Sequence, residues 1–386
     1  MAIVYDKDNL TFEEKLLPNQ AEPIAKSGEM PNKLCSLHTI SPYIGKMRPE
    51  LAAWAIERVS APGDLIYDPF CGSGTVLLEG WASGRRVTGS DLNPYAWLVS
   101  KAKIFPYEDR SPESVERILL KYADEAQELS SASQPDDFEP WAADFFHPET
   151  LKDLMGWLQV LKRHEDAFAL GCLLGIAHHQ RPGFLSYPAS HTTPYLRTSK
   201  FPKEEFHDMY QYREVFPRLK RKLFRALACV PNLDFSIPRS VHVCDAAEFK
   251  PEERVDAIVT SPPYMGQLDY ARDNRLRLHL LGVKEWEALN RKISPNATNF
   301  VEQMNNCLGV WRSVLKPGGR LAILIGETTN TTRRRLDTLV TQLVSEKWPD
   351  YELRQVMQSS IPDARRTRKN CRGSTSESLL VFQFRP

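Results

Sequence analysis

Two short segments carry the residue types that chemistry on a nucleobase needs: Asp68–Gly74, reading DPFCGSG, and Thr260–Tyr264, reading TSPPY. The first suits a nucleoside-bearing cofactor, and the second suits a flat base held by its amino group. An exocyclic amine on cytosine or adenine is a poor nucleophile because its lone pair is delocalised into the ring. Acceptors that grip its protons turn that lone pair toward an incoming methyl group. Ser261 and the carbonyl of Pro262 are the candidate grips, since consecutive prolines stiffen the loop and leave the carbonyls before and between them without neighbouring amide donors. Tyr264 supplies a ring for stacking. The conjunction points to group transfer onto a nucleobase.

The elements that must position these residues are legible around them. Apolar Leu65, Ile66 and Tyr67 lead into Asp68, Gly72 to Gly74 allow a tight turn, and Val76 to Trp81 predicts a helix. A second strand, Arg86 to Gly89, ends in Ser90 and Asp91, where a carboxylate is placed to accept from both ribose hydroxyls. The loop has neither the GxGxxG spacing of a dinucleotide site nor the GxxxxGK[ST] of an ATP-binding phosphate loop, so a nucleoside without phosphates fits better. The apolar run Val255 to Val259 predicts a buried strand opening on Thr260 and Ser261.

With these residues in place, the chain resembles the S-adenosylmethionine-dependent DNA amino-methyltransferases, of the cytosine-N4 and adenine-N6 type. Phe70, Gly72 and Gly74 match that family's FxGxG-like signature beside the methionine part of the cofactor. Asp91 matches its ribose carboxylate, and Asp245, after a strand at Val241 to Cys244, resembles the acidic residue near the adenine. Ser261, Pro262, Pro263 and Tyr264 match the catalytic motif. The resemblance extends to His38–Pro49, before a helix expected at Glu50 to Val59, and to Asp269–Gly282 and the final strand Ser378–Phe384. It implies S-adenosyl-L-methionine as cofactor, held by Tyr43, Lys46, Asp68, Pro69, Phe70, Cys71, Gly72, Ser73, Gly74, Thr75, Asp91, Leu92, Asn93, Asp245 and Ala246. The implied fold is α/β: a Rossmann-like methyltransferase sheet with helices on both faces and a mainly helical inserted target-recognition region. The expected division is a catalytic domain at 36–105 and 239–386, an insert at 106–238 and an N-terminal extension at 1–35. A serine-led SPPY is commoner among enzymes forming 4-methylcytosine, and DPPY or NPPY among those forming 6-methyladenine, so the motif leans toward cytosine. The implied partners are double-stranded DNA and, in a restriction-modification system, a cognate restriction endonuclease.

Composition sets the bounds. The 386 residues are 42% hydrophobic and 26% charged, ordinary for a globular protein with room for a core domain and a second lobe. No run is apolar enough to cross a membrane and the start lacks a signal-peptide pattern, so the cytoplasm is the expected compartment. Seven cysteines without a CxxC pair argue against a disulfide scaffold and a clustered metal site, and no metal is expected. Cys71 reads as a small packing residue rather than a nucleophile, because the chain has no Pro-Cys pair for ring-carbon methylation. The oligomeric state is not readable from the sequence.

A net charge of +1 says little about partners, because nucleic-acid contact needs only a local positive surface. Arg218, Lys220, Arg221, Lys222 and Arg225 cluster in a helix expected after Pro217, Arg333 to Arg335 open another, and Arg365, Arg366, Arg368, Lys369 and Arg372 crowd a C-terminal loop. A solvated face explains each cluster equally well, while three beside a base-handling motif favour phosphate contact. Within the insert, Ser111 to Glu139 predicts a surface helix and then a loop, and Leu151, Leu154, Leu158 and Leu161 followed by Phe168 to Ile176 predict packing helices. His178–Lys203 differs in kind, being rich in His, Tyr, Pro, Thr and basic residues. It reads either as a structural connector or as a target-recognition segment with base-edge donors and aromatic platforms. Its histidines lack partners at metal-site spacing. The expected DNA contacts are His179, Arg181, Tyr187, His191, Tyr195, Arg197, Lys200, Arg221, Arg366 and Arg368. Downstream, Trp311 to Leu315 predicts helix, Lys316–Gly319 a turn and Leu321 to Ile325 a buried strand, with Glu327 a minor candidate base. The expected reaction is site-specific methylation of the cytosine N4 amine in DNA. The alternatives are adenine N6 methylation, guanine N2 methylation of tRNA, and a catalytically silent DNA-binding protein.

Overall fold

The computed structural model describes residues 13–16, 35–134, 138–191, 193–263, 268–294, 297–326, 336–360 and 376–386. Eight strands form one sheet: β1 (Glu13–Leu16), β2 (Leu65–Asp68), β3 (Arg86–Asp91), β4 (Arg239–Val243), β5 (Val255–Thr260), β6 (Leu315–Gly326), β7 (Tyr351–Ser360) and β8 (Ser376–Phe384), in the order β1-β7-β8-β6-β5-β2-β3-β4. The block β6-β5-β2-β3-β4 is parallel, whereas β8, β7 and β1 add antiparallel pairings on the β6 side. The chain lays down β2, β3 and β4 outward, returns with β5 beside β2, and then builds in the opposite direction. The gap beyond the carboxyl ends of β2 and β5 is therefore a topological switch point, where open α/β sheets bind ligands.

Strand alternation sorts the core into two faces. Leu65 and Tyr67 of β2, Leu321, Ile323 and Ile325 of β6, and Leu380 and Phe382 of β8 pack on one face against Met304, Leu308 and Trp311. Their alternates Ile66, Ala322, Leu324, Leu379 and Val381 pack on the other against Ala52, Ala55, Ile56 and Val59. The helices responsible are α12 (Ala297–Val314) and α1 (Pro49–Val59), the latter opened by Pro49 in its first turn. Helices thus cover both faces, as the α/β reading expected.

Around the first signature stand α2 (Thr75–Ala82) and α3 (Pro94–Ile104). Residues 106–238, expected as an insert, contribute α4 (Pro112–Ala132), α5 (Pro140–Ala143), α6 (Pro148–Arg163), α7 (Ala167–Gly175) and α8 (Val215–Leu227). Side chains cap three of these starts: Ser111 accepts from Ser114 N, His147 Nδ1 from Glu149 N, and Asp166 from Ala169 N. Leu119, Leu151, Leu154 and Leu173 of the insert share one core with Leu77 of α2 and Leu98 of α3. Beyond the second signature lie α9 (Tyr270–Asp273), α10 (Arg275–Leu281), α11 (Trp286–Ile293) and, before β7, α13 (Leu336–Lys347).

Three details differ from the sequence expectations. Residues of the N-terminal extension form β1 at the sheet edge, paired with β7. The turn at Lys316–Gly319 lies inside β6: Val255 pairs with Leu315 and Ala257 with Arg320, so the intervening residues bulge out of the ladder with Gly318 at φ +81°. Helix α8 begins at Val215, with Pro217 inside its first turn. Among the described residues no helix is long and apolar enough to cross a membrane.

Candidate active site

The carboxyl ends of β2, β3, β4 and β5 meet around a cavity of about 320 Å³, at the small end of the ~300–1,000 Å³ range of ligand clefts. Asp68, Pro69, Phe70, Cys71, Gly72, Ser73 and Thr75 line it from the first signature. Asp91, Leu92, Asp245 and Ala246 line it from the neighbouring strand ends, Tyr43 and Lys46 from the segment before α1, and Ser261 and Pro263 from the second signature.

The first loop is shaped by close backbone approaches. Gly74 donates to the Cys71 carbonyl over 2.6 Å and adopts φ +71°, and a Cβ there would lie 2.8 Å from Cα of Ser100. Ser100 Oγ donates to the Gly72 carbonyl over 3.0 Å, which ties the loop to α3. Asp91 Oδ2 accepts from Gly72 N at 2.9 Å, and its Oδ1 accepts from Asn93 N at 2.8 Å. These bonds favour the charged carboxylate, but burial outweighs them and raises its pKa to about 6.

The two signatures are joined directly. Thr260 Oγ1, fully buried, donates to Asp68 Oδ1 over 2.7 Å, and Phe70 N donates to the same oxygen at 3.2 Å. Burial raises the Asp68 pKa to about 7, above the opposing effect of those two bonds. Through β2–β5 pairing and this contact, Ser261 and Pro263 open onto the cavity that the glycine loop lines. Pro262 is buried.

Most of the expected cofactor residues therefore share one wall. Asn93 and Gly74 support that wall from behind, since neither faces the cavity; the Asn93 side chain accepts from Tyr95 N at 3.0 Å and caps α3. Cys71 is buried, with a thiol pKa pushed well up by burial, as suits packing. The cavity is also lined by Glu248, Tyr270, Lys292, Gln303, Asn306 and Cys307, which sequence reasoning did not name as site residues. Those residues follow no motif spacing. Only the residue type of Tyr270, beside the second signature, offered a signal.

The segment His178–Lys203 lies against α9 and α10. Thr193 Oγ1 donates to Asp273 Oδ1 at 2.7 Å, and Arg275 donates to the Pro194 carbonyl at 2.6 Å. His178 is fully buried and donates from Nδ1 to the Ser190 carbonyl at 3.0 Å, while burial pushes its pKa well down. His179 stacks on Phe184 with centroids 4.6 Å apart and lies 5.2 Å from His191; burial lowers its pKa to about 4. Tyr187 packs on Tyr210, and Arg197 donates to Gln180. Arg181, His191, Tyr195 and Lys200 are exposed. In α8, Arg221 and Arg225 face solvent, but Lys222 turns inward to the Thr39 carbonyl at 2.6 Å and Lys220 pairs with Glu116 at 2.5 Å, so the five cations do not form one face. Tyr264, Glu327, Arg333 to Arg335, Arg366, Arg368 and the rest of the C-terminal cluster lie outside the described residues. Among the described residues no group of three or more His, Cys, Asp or Glu is arranged to hold a metal ion.

Comparison with known proteins adds the following. A family model described as DNA methylase matches residues 27–101, the stretch carrying the glycine loop and Asp91. The type II methyltransferase M.MjaII of Methanocaldococcus jannaschii is 33% identical over 102 residues, covering 26% of this chain and 19% of its own length. The type II methyltransferase M.MvaI of Kocuria varians is 27% identical over 279 residues, covering 64% of this chain and 58% of its own. M.BsoBI of Geobacillus stearothermophilus, likewise a type II methyltransferase, is 25% identical over 308 residues, covering 71% and 56%. The chain thus spans less than two thirds of the length of each of these relatives. Among solved structures, TrmN from Thermus thermophilus aligns with a TM-score of 0.37 at 12% identity over 90% of this chain and 52% of its own. The rRNA methyltransferase aviRa from Streptomyces viridochromogenes aligns at 0.33 and 13% identity over 90% and 91%.

Proposed function

We propose that this chain is a DNA methyltransferase that transfers a methyl group from S-adenosyl-L-methionine to the exocyclic N4 amine of cytosine in double-stranded DNA. The observation that carries the reading is the Thr260–Asp68 contact, which holds Ser261 and Pro263 on the same cavity as Gly72, Asp91 and Asp245. The DNA methylase match and the printed names of the type II relatives support DNA as the substrate. The serine that leads the second signature supports cytosine over adenine.

The residues present fit the cofactor chemically. Asp91 ends β3 and Asp245 follows β4 by two residues, both lining the cavity as acceptors of the kind a ribose and an adenine need, and the glycine loop brings backbone close to the cavity without a phosphate-binding lysine. Bound S-adenosylmethionine supplies a methyl group made electrophilic by the neighbouring sulfonium. Asp91 would accept from the ribose, Asp245 would face the adenine, and Tyr43 and Lys46 would flank the amino-acid arm. Ser261 and the Pro262 carbonyl accept from the target amine and aim its lone pair, while Tyr264 stacks on a base turned out of the duplex. Alignment and exclusion of water contribute more to this step than a strong base, because the methylated amine sheds its proton readily. His179, Arg181, Tyr187, His191, Tyr195, Arg197, Lys200, Arg221, Arg366 and Arg368 are the proposed DNA contacts.

The test is incubation with labelled S-adenosylmethionine and unmethylated mixed-sequence DNA, with total RNA in parallel, followed by mass identification of the modified nucleoside. The expected product is 4-methylcytosine in DNA. A 6-methyladenine product would overturn the choice of base, and label confined to RNA would overturn the substrate.

A further inference from the structure

Behind the glycine loop lies a polar cluster that the mechanism above does not use. Lys103, near the end of α3, is fully buried. Among the described residues its ammonium has one hydrogen-bond contact, Ser73 Oγ at 3.5 Å, the outer limit for such a bond, and no carboxylate forms an ion pair with it. Glu79 of α2 is near but is engaged at 2.6 Å by His38 Nε2. Lys46, whose Nζ donates to the His38 carbonyl at 3.2 Å, adds a second positive charge from the segment before α1. The remaining titratable groups facing Lys103 are the thiols of Cys35, before the first 3-10 turn, and Cys71, in the loop. A buried ammonium without a counter-ion is costly. Here the hydroxyl it contacts, that of Ser73, belongs to a residue that lines the cavity.

We propose that Lys103 is the positioning residue for the carboxylate of the cofactor's amino-acid arm, supplying through Ser73 the charge that the arm neutralises and taking up a proton as it binds. The proposal rests on the cofactor assignment above. Lys103 donates to Ser73 Oγ, whose other contact is Thr75 Oγ1 at 3.5 Å; with the Thr75 hydroxyl donating, the Ser73 hydroxyl hydrogen is left to point at a carboxylate in the cavity. Burial foremost, with Lys46 adding to it, lowers the Lys103 pKa to about 7. An incoming carboxylate opposes both effects and restores the charged form. Above pH 7 the free protein then holds this amine largely neutral and the complex holds it charged, so affinity falls as pH rises by at most tenfold per unit.

The experiment is calorimetric titration of the full chain at about pH 8 with two probes, S-adenosylhomocysteine and 5′-methylthioadenosine, in buffers of different ionisation enthalpy. The second probe keeps the nucleoside and lacks the amino acid. Expected are uptake of up to about one proton with S-adenosylhomocysteine and none with methylthioadenosine. Lys103→Met should bind S-adenosylhomocysteine roughly 10- to 100-fold more weakly and without this uptake, yet bind methylthioadenosine as the parent does, which also reports that it is folded. Lys46→Met, which removes the smaller of the two causes of the lowered pKa, should show a reduced uptake but not lose it. The ligand's own amine titrates equally against parent and variant and cancels in the comparison. Uptake that persists in Lys103→Met, that is equal for both probes, or that is absent with S-adenosylhomocysteine overturns the role of Lys103 alone. Failure of both nucleosides to bind the parent chain overturns the cofactor assignment, and this role with it.

Discussion

The glycine loop at Asp68–Thr75 lines the cavity, the segment His178–Lys203 lies against α9 and α10, and the two are held in opposite ways. The loop takes its shape from its own residues and near neighbours: a left-handed glycine, a backbone bond from Gly74 to Cys71, and a carboxylate at the end of the adjacent strand β3 accepting from Gly72. The segment has almost no regular structure. It is fastened by long-range bonds, among them those of Arg213, which is buried and donates to the carbonyls of Phe184, Ser186 and Met209. A cavity wall can thus be written in a few adjacent residues, whereas an irregular segment borrows its rigidity from the fold around it.

Three substitutions probe this contrast. Gly74→Val should have the largest effect, because it combines a disfavoured φ with contact against the Ser100 backbone. Binding of S-adenosylhomocysteine should fall more than about 100-fold, at a cost of ~3 kcal/mol or more; calorimetry reads this directly, and retained binding would show that the loop is not sterically encoded. Arg213→Met should destabilise the chain by about 2–4 kcal/mol by stranding buried carbonyls. Denaturant unfolding measures that loss, and DNA affinity should fall while cofactor affinity stays within about twofold, a split that would vanish if the segment carried its own shape. Asp68→Asn should be mildest, since it keeps an acceptor for Thr260 and Phe70 while removing a titration. The buried carboxyl holds its proton to about pH 7 in the folded chain, against ~3.9 when unfolded. Between those values the folded state binds more protons, so stability falls as pH rises and stays lowered above pH 7. The variant should show a smaller difference in Tm between pH 5 and pH 8 than the parent, Asp91 retaining part of the slope; an unchanged slope would assign the titration elsewhere.

What could be read from the chain follows the same division. The strands β2, β5 and β8 announce themselves as apolar runs, and β3, in which only Val87 is apolar, by its place after the glycine loop and the hydroxyl and acid at its tip. The bulge at Lys316–Gly319 was legible as a turn but not as an interruption within one strand, because that depends on its register against β5. The strand β7 escaped notice because its sequence, YELRQVMQSS, alternates weakly and gains its place only by pairing between β1 and β8. Lys222 and Lys103 were illegible for a related reason. Nothing in a helix's sequence marks which of its lysines is turned inward, and a count of positive charges over α8 overstates its exposed face. The lining residues Lys292 of α11 and Gln303, Asn306 and Cys307 of α12 are brought to the cavity by tertiary packing rather than by local spacing.

The bond between Thr260 and Asp68 joins residues 192 positions apart, and β5 pairs with β2 across the whole insert. During synthesis, the glycine loop and its acid emerge long before the strand that completes their sheet. The first hundred residues therefore lack the wall and the buried partner that shape the cavity, and a truncated or stalled chain has no finished site with which to capture cofactor. Closing so long a loop costs entropy that grows only slowly with its length, about 0.6 kcal/mol for each doubling. The delay thus weighs on the rate of folding far more than on the stability of the finished protein, and cofactor capture becomes an event that follows completion of the chain.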